Sequence, residues 1–221
     1  IVGLCDEILR RDLKITFEGH TRANLVDEEL VAKMKEAGLV ELIFGVESGN
    51  ERIRNEVIGK GVTDEAIFKA VQLCRKYRIK ASLYLMLGFP TEGEAEVEDT
   101  VSFPKKVRPN IFGLHITIPL PGAPLWEQAI AEGVVPADTI DRYVRGELGE
   151  GFNENWPLYV PRGMTLEYLK EARARAYRGY YFSPNYLLRK LFQDLFSFKE
   201  LKKDAGAFFD LLRLGRAKHL E

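Results

Sequence analysis

Cysteine is scarce in this sequence: Cys5 and Cys74 are the only two in 221 residues. They stand far apart, outside any C-x-x-C spacing, so they supply neither a disulfide framework nor a cysteine-based metal centre. No metal ligands are assigned. The plain reading is two buried thiols in a reducing cytosol, which places the protein in the cytoplasm. An excess of charge of one sign is missing as well. Lys and Arg number 32 against 33 Asp and Glu, for a net charge of −1, which leaves no electrostatic footprint for nucleic acid or an anionic membrane. Long apolar runs are absent, so no segment is expected to span a bilayer, and no signal-peptide pattern opens the chain.

What remains is an ordinary globular composition, 46% hydrophobic and 29% charged, of a length that suits one domain with an appendage. Ile1 is not a start methionine, and the first nine residues already carry helical periodicity. The chain therefore reads as beginning inside an element of a longer protein. Leu220-Glu221 reads as a tag remnant.

Strand and helix signals alternate along the first half. Leu13 to Phe17 alternates apolar and polar residues and predicts a strand. Asp27-Glu28-Glu29 opens a helix that Gly38 closes. Leu39 to Val46 predicts a second strand. Thr63 as N-cap starts a helix running to about Tyr77, and Ile79 to Leu87 predicts a third strand. Glu92 to Lys106 predicts a helix that Pro104 should end or kink. Asn110 to Ile118 predicts a fourth strand. Strands apolar on both faces, alternating with helices, define a parallel sheet covered by helices: an α/β fold of about four βα units, either an open sheet or part of a (β/α) barrel. Residues 1–124 form that unit, and Pro119 to Pro124 ends it. Residues 125–164 read as a loop-rich connector with one helix, Leu125 to Glu132. Residues 165–219 read as a helical, aromatic segment broken at Pro184.

In such a fold, functional groups collect at the C-terminal ends of the strands. Gly45-Val46-Glu47-Ser48-Gly49-Asn50 places a carboxylate between glycines where the second strand ends. It could accept from a pair of ribose hydroxyls, or be a solvated turn acid. Gly88 and Phe89, after the third strand, allow close approach of a ligand and packing of a flat ring, or form a routine βα turn. Glu18, His20 and Arg22 follow the first strand; Arg22 could grip a carboxylate with two parallel bonds, or pair with Glu18. Lys60, between Gly59 and Gly61, could hold an anion or be solvated. His115 is read as a packing or hydrogen-bonding residue, and His219 is given no role. No catalytic residue is identified.

Taken in order, these segments resemble the radical S-adenosylmethionine (SAM) superfamily, nearest to the branch whose members often carry an N-terminal cobalamin-binding domain. The resemblance rests on Phe17 to Asn24, Val26 to Leu30, Met34 to Gly38, Ile43 to Asn50, Lys60 to Thr63, Met86 to Thr91, Thr117 to Trp126 and Tyr177 to Tyr181. It implies a partial TIM-like barrel with strands three to six of the family barrel. It also implies that Glu47, with Ser48 beside it, binds the SAM ribose and that Lys60 holds the methionine carboxylate. Arg22 would lie near the methionine moiety and Gly88 and Phe89 against adenosine, with Glu18 and His20 matched more loosely. The family's activity is reductive cleavage of SAM to a 5′-deoxyadenosyl radical for hydrogen abstraction or methylation, with a [4Fe–4S] cluster and, in this branch, cobalamin. The C-x-x-x-C-x-x-C ligands are absent from these residues, so the chain alone is expected to be inactive and to bind SAM weakly or not at all. An unpaired sheet edge is expected to promote dimerisation. Coproporphyrinogen dehydrogenase-like and methylthiotransferase-like enzymes, a cluster-free barrel acting as a binding module, and an unrelated (β/α) enzyme such as an aldolase are the alternatives. A helical tail disfavours the methylthiotransferases, which end in a small β-rich domain, and Lys60 lies outside the strands where an aldolase carries its lysine.

Overall fold

The structure is a computed structural model that describes residues 1–149 and 156–194, without the side chains of 191–194. The chain divides into two compact units, Ile1–Arg173 and Ala174–Glu221, with the boundary inside one helix.

The first unit is built on a four-stranded sheet in the order β1-β2-β3-β4, with every neighbouring pair parallel. Its strands are β1 (Phe17–Thr21), β2 (Leu39–Glu47), β3 (Lys80–Leu87) and β4 (Ile111–Ile116). Helices α1 (Val2–Arg10), α2 (Glu28–Glu36), α3 (Asp64–Lys76) and α4 (Glu94–Val107) intervene. This is the α/β arrangement of parallel strands and helices that the strand–helix alternation predicts, with the partial barrel being what the family resemblance implies. Leu42, Phe44, Leu83, Leu85, Leu87 and Leu114 are buried toward the helices, together with Val31, Ile67 and Val97 from the helices themselves. Truncating any one of these leucines costs about 2–5 kcal/mol. The opposite face of the sheet is open, and Glu18, His20, Tyr84, Ile111 and His115 are exposed on it.

Local signals explain most element ends. The Thr63 hydroxyl accepts from Ala66 N at 3.2 Å and starts α3, and the Asp27 carboxylate caps α2 through Leu30 N at 2.8 Å. Gly38 closes α2 at φ +111°, where an added Cβ would lie 2.2 Å from the Ile15 carbonyl.

Two expectations shift. The first strand begins at Phe17, not Leu13. Phe17 N bonds Gly38 O at the point where the partner strand starts, so Leu13 and Ile15 have nothing to pair with and stay exposed. Glu18 and His20 therefore sit inside a strand instead of after it. The fourth helix begins at Glu94 and runs past Pro104 to Val107, where Arg108 ends it in a left-handed conformation at φ 58°. Glu92 stays outside that helix, with consequences described below.

After β4, helices α5 (Pro124–Ala131) and α6 (Thr139–Val144) surround a small core of Trp126, Ala129, Val135, Leu148, Trp156 and Tyr159. The 125–164 stretch thus holds a second helix and a core of its own. Helix α7 (Leu166–Tyr181) leads into the second unit, where α8 (Pro184–Asp194) follows. There Tyr180, Tyr181 and Tyr186 pack ring against ring with centroids 5.0–5.2 Å apart, and Arg189 donates to Tyr180 Oη at 2.9 Å. The break expected at Pro184 falls at the α7–α8 junction. The expected helix beyond residue 194, with His219 and Leu220-Glu221, lies outside the described residues. No helix among the described residues is long and apolar enough to cross a membrane.

Candidate functional site

Parallel pairing brings the C-terminal ends of all four strands to one edge, so Arg22, Glu47, Gly88 and Thr117 leave the sheet on the same side. At the end of β2 the register slips between Gly45 and Glu47, opposite Tyr84 and Leu85 of β3. Glu47 itself takes φ 66°, a left-handed conformation that costs a non-glycine residue roughly 1–3 kcal/mol. The bulge and the strained dihedral together turn the carboxylate back over Gly45. A Cβ placed there would lie 2.7 Å from Glu47 Oε1 and 3.4 Å from Lys60 Nζ. Lys60 Nζ donates to Glu47 Oε1 at 2.8 Å, and both side chains are about four-fifths buried. Sequence reasoning proposed these two residues for one ligand, and the fold brings them into contact.

Ser48, Gly49 and Asn50 do a different job. The Ser48 hydroxyl is fully buried, 3.2 Å from Thr100 Oγ1, and accepts from Asn50 N at 3.1 Å. Gly49 N donates to Thr100 Oγ1 at 3.0 Å, and Asn50 Nδ2 to Asp99 at 2.8 Å. A Cβ at Gly49 would meet Thr100 Cα and Phe103 Cβ at 2.7 Å. These three residues dock the strand end onto α4, and the Ser48 side chain points into that contact.

The turn after β3 is also self-contained. Gly88 takes φ 91°, and the close approach it permits is used by the Tyr159 carbonyl, 2.6 Å from where a Cβ would stand. Phe89 is buried. Glu92 folds back so that Oε2 accepts from Gly88 N at 2.5 Å and Phe89 N at 3.1 Å, while Oε1 is buried without a partner. Burial pushes its carboxyl up to about 7, against the two amides that pull it down. Arg52 joins this turn to the previous one, donating to Thr91 O at 3.1 Å and Glu96 Oε1 at 2.8 Å.

Arg22 is exposed immediately after β1, and Glu18 and His20 are exposed on the open sheet face. His20 lies with its ring 6.3 Å from Tyr84, which in turn meets His115 edge-on at 6.4 Å. His115 is therefore on the open face, where its ring packs edge-on against Tyr84. Tyr84 and His115 were missed as site residues, and strand parity is the signal that could have found them: both share a face with Glu18 and His20. Arg54 was also missed. Its side chain is fully buried, with Nε on Val62 O at 2.7 Å and Nη1 on Ser48 O at 2.9 Å. Nothing local in the sequence marks it.

The two thiols do not fit an iron–sulfur cluster. Both are buried, on α1 and α3, and burial pushes Cys74 up to about 12, far from the thiolate a cluster needs. No group of three or more His, Cys, Asp or Glu among the described residues could hold a metal ion.

A parallel βα sheet with a carboxylate–ammonium pair at its C-terminal edge is an α/β architecture whose functional groups are expected at that edge. Residues 1–103 match the sequence profile of the radical SAM superfamily. The chain is 31% identical over 186 residues to an uncharacterised methyltransferase of Pyrococcus horikoshii, covering 84% of this chain and 38% of that protein. It is 36% identical over 86 residues to the archaeosine synthase subunit beta of Methanosarcina acetivorans, covering 37% of this chain and 25% of that one. The chain thus spans well under half the length of these relatives. Among solved structures, the cobalamin-dependent radical SAM enzyme OxsB superposes with a TM-score of 0.56 at 16% identity, over 96% of this chain and 35% of its own. The radical SAM methyltransferase TsrM of Kitasatospora setae, with cobalamin and a [4Fe–4S] cluster bound, gives 0.53 at 21%, over 62% and 27%. These two show a shared fold.

Proposed function

We propose that this chain forms the nucleotide-cupping wall of a radical SAM enzyme of the cobalamin-associated branch, one that reductively cleaves SAM for hydrogen abstraction or methyl transfer. The observation that carries this is the Glu47–Lys60 pair, seated over Gly45 on the open side of the sheet by a bulge and a left-handed residue. A carboxylate and an ammonium side by side match the two ends of the ligand: ribose hydroxyls donate to Glu47, and the methionine carboxylate accepts from Lys60. Arg22, exposed at the same edge, is the second cation for that carboxylate. On binding, the internal ion pair is exchanged for ligand bonds, so these largely buried groups are never left unpaired. Phe89 and Gly88 support the rim from beneath. The reading assigns direct contact to Glu47, Lys60 and Arg22 and a supporting role to Ser48.

A [4Fe–4S] cluster, and cobalamin, belong to the whole enzyme on this reading; among the described residues no group of three or more His, Cys, Asp or Glu could hold the cluster. The substrate is left to the open face, where Glu18, His20, Tyr84 and His115 are exposed. The reading is tested on the full-length protein by titrating S-adenosylhomocysteine calorimetrically. Glu47→Gln should weaken binding at least about tenfold, the worth of one charge-assisted ribose contact. Equal affinity for the wild type and Glu47→Gln would sink it.

A further inference from the structure

We propose that Arg54 is the positioning residue of this site: its guanidinium fixes the β2 strand end and the Lys60 loop at one separation, and so sets the shape of the cup. The geometry is independent of the ligand; the identification of the ligand rests on the SAM reading above.

Arg54 lies in a wide helical turn, Ile53–Val57, between β2 and α3, and its side chain is fully buried. Its fork reaches both flanks of the Glu47–Lys60 pair. Nη1 donates to the carbonyl of Ser48, the residue next to Glu47, at 2.9 Å. Nε donates at 2.7 Å to the carbonyl of Val62, two residues past Lys60. Nη2 bonds Asp64, with Glu51 at 3.6 Å, and the guanidinium carbon stands 5.7 Å from the Phe103 ring centroid. The backbone adds a further tie, because Lys60 N donates to the Arg54 carbonyl at 3.0 Å. Both ends of the ion pair are therefore anchored on one residue.

Gly59 and Gly61 take φ 74° and 62°, and a Cβ at either would meet nothing within 4 Å. Besides Arg54, the loop is tied by Ile58 N on Ile53 O at 3.0 Å, Val62 N on Asn55 Oδ1 at 2.9 Å, Asp64 N on Glu51 Oε2 at 3.3 Å, a long contact from Asn24 Nδ2 to Gly61 O at 3.3 Å and the buried Val62 side chain; among these, Arg54 alone reaches both flanks of the ion pair. A buried ion is also a poor choice for stability alone, since well-packed apolar residues often do as well or better. A planar fork of fixed donors, which a lysine does not reproduce, is instead suited to holding several carbonyls in one arrangement.

The test compares Arg54→Lys with Val31→Ala, a core substitution under α2 that lowers stability without touching the rim. The first readout needs no ligand: the rate of Lys60 acetylation by acetic anhydride, followed by mass spectrometry and normalised to Lys105. Arg54→Lys should raise that rate to the level seen in Glu47→Gln, whereas Val31→Ala should leave it at the wild-type value. Asp64→Asn, which removes only the partly exposed carboxylate of the clamp, should give a smaller rise and serves if Arg54→Lys does not fold. In the full-length protein, S-adenosylhomocysteine affinity should fall about tenfold in Arg54→Lys and stay level in Val31→Ala. A wild-type Lys60 rate in both rim variants, or an equal rise in Val31→Ala, would overturn the proposal. Failure of the wild type to bind S-adenosylhomocysteine would instead remove the SAM reading and leave the acetylation result to decide the role of Arg54.

Discussion

The turns after β2 and β3 are made of the same materials, glycine and glutamate at the end of a buried strand, yet they are built to opposite ends. After β2 the Glu47 carboxylate swings over the open face, strained, paired with a side chain that can let go of it. After β3 the Glu92 carboxylate turns inward onto the amides of its own turn. The space beside Gly45 holds the tips of two movable side chains, and that beside Gly88 holds the Tyr159 backbone. One turn is arranged to exchange partners, the other to keep them. A glycine–glutamate pattern at a strand end marks a tight turn, and only the third dimension says whether the vacated space is offered to a ligand.

The sharpest way to break this contrast is to add a methyl group on each side. In Gly88→Ala the Cβ would stand 2.6 Å from a carbonyl oxygen at φ 91°. Overpacking and the left-handed backbone together should cost about 3 kcal/mol. In Gly45→Ala the nearest atoms are Glu47 Oε1 and Lys60 Nζ, both at the ends of flexible chains, so the cost should stay below about 1 kcal/mol. Urea unfolding of the two variants measures the difference. Similar losses would mean that the two turns are equally rigid.

A second test uses the proton. Burial raises the Glu92 carboxyl to about 7, from an ordinary value of 4.5. The folded state therefore holds this proton through a window where the unfolded chain has lost it. Stability is then highest below about pH 4.5 and falls as pH rises to about 7, by up to about 3 kcal/mol from this group. Glu92→Gln should flatten that slope and be the more stable protein at pH 8, since an amide can accept from Gly88 and Phe89 without carrying a charge. Denaturant midpoints at pH 5 and pH 8 decide it. A slope that persists in Glu92→Gln would assign the effect elsewhere.

The same contrast shows what could be read from the sequence and what could not. Parallel strands alternating with helices follow from apolar runs and cap signals such as Thr63, which act locally. Glu47 and Lys60 were each marked by flanking glycines, and only the family resemblance joined them to one ligand. The occupant of the space at Gly88 could not be read, because Tyr159 arrives from beyond the fourth strand. The role of Arg54 is set by carbonyls that no pattern of side chains announces. Leu13 and Ile15 alternate like a strand, yet a strand needs a neighbour, and β2 begins only opposite Phe17. The face that His115 takes could not be read, because a mostly apolar run hides the parity of its residues.

The smallest expected effect on stability is the most telling about function. Glu47 sits at φ 66°, where glycine is at ease. Replacing it by glycine relieves a left-handed penalty of roughly 1–2 kcal/mol but adds about 0.5–1 kcal/mol of backbone entropy in the unfolded chain. It also removes a partly exposed ion pair worth up to about 1 kcal/mol. The terms nearly cancel, so Glu47→Gly should unfold within about 1 kcal/mol of the wild type. On the proposed function, S-adenosylhomocysteine affinity in the full-length protein should nonetheless fall at least about tenfold, because the proposed ribose acceptor is gone. A residue that the fold can do without, held in a strained conformation, is retained for what it binds. A large loss of stability in Glu47→Gly, with affinity unchanged, would make the strained carboxylate a structural part of the turn and place β2 in the same class as β3.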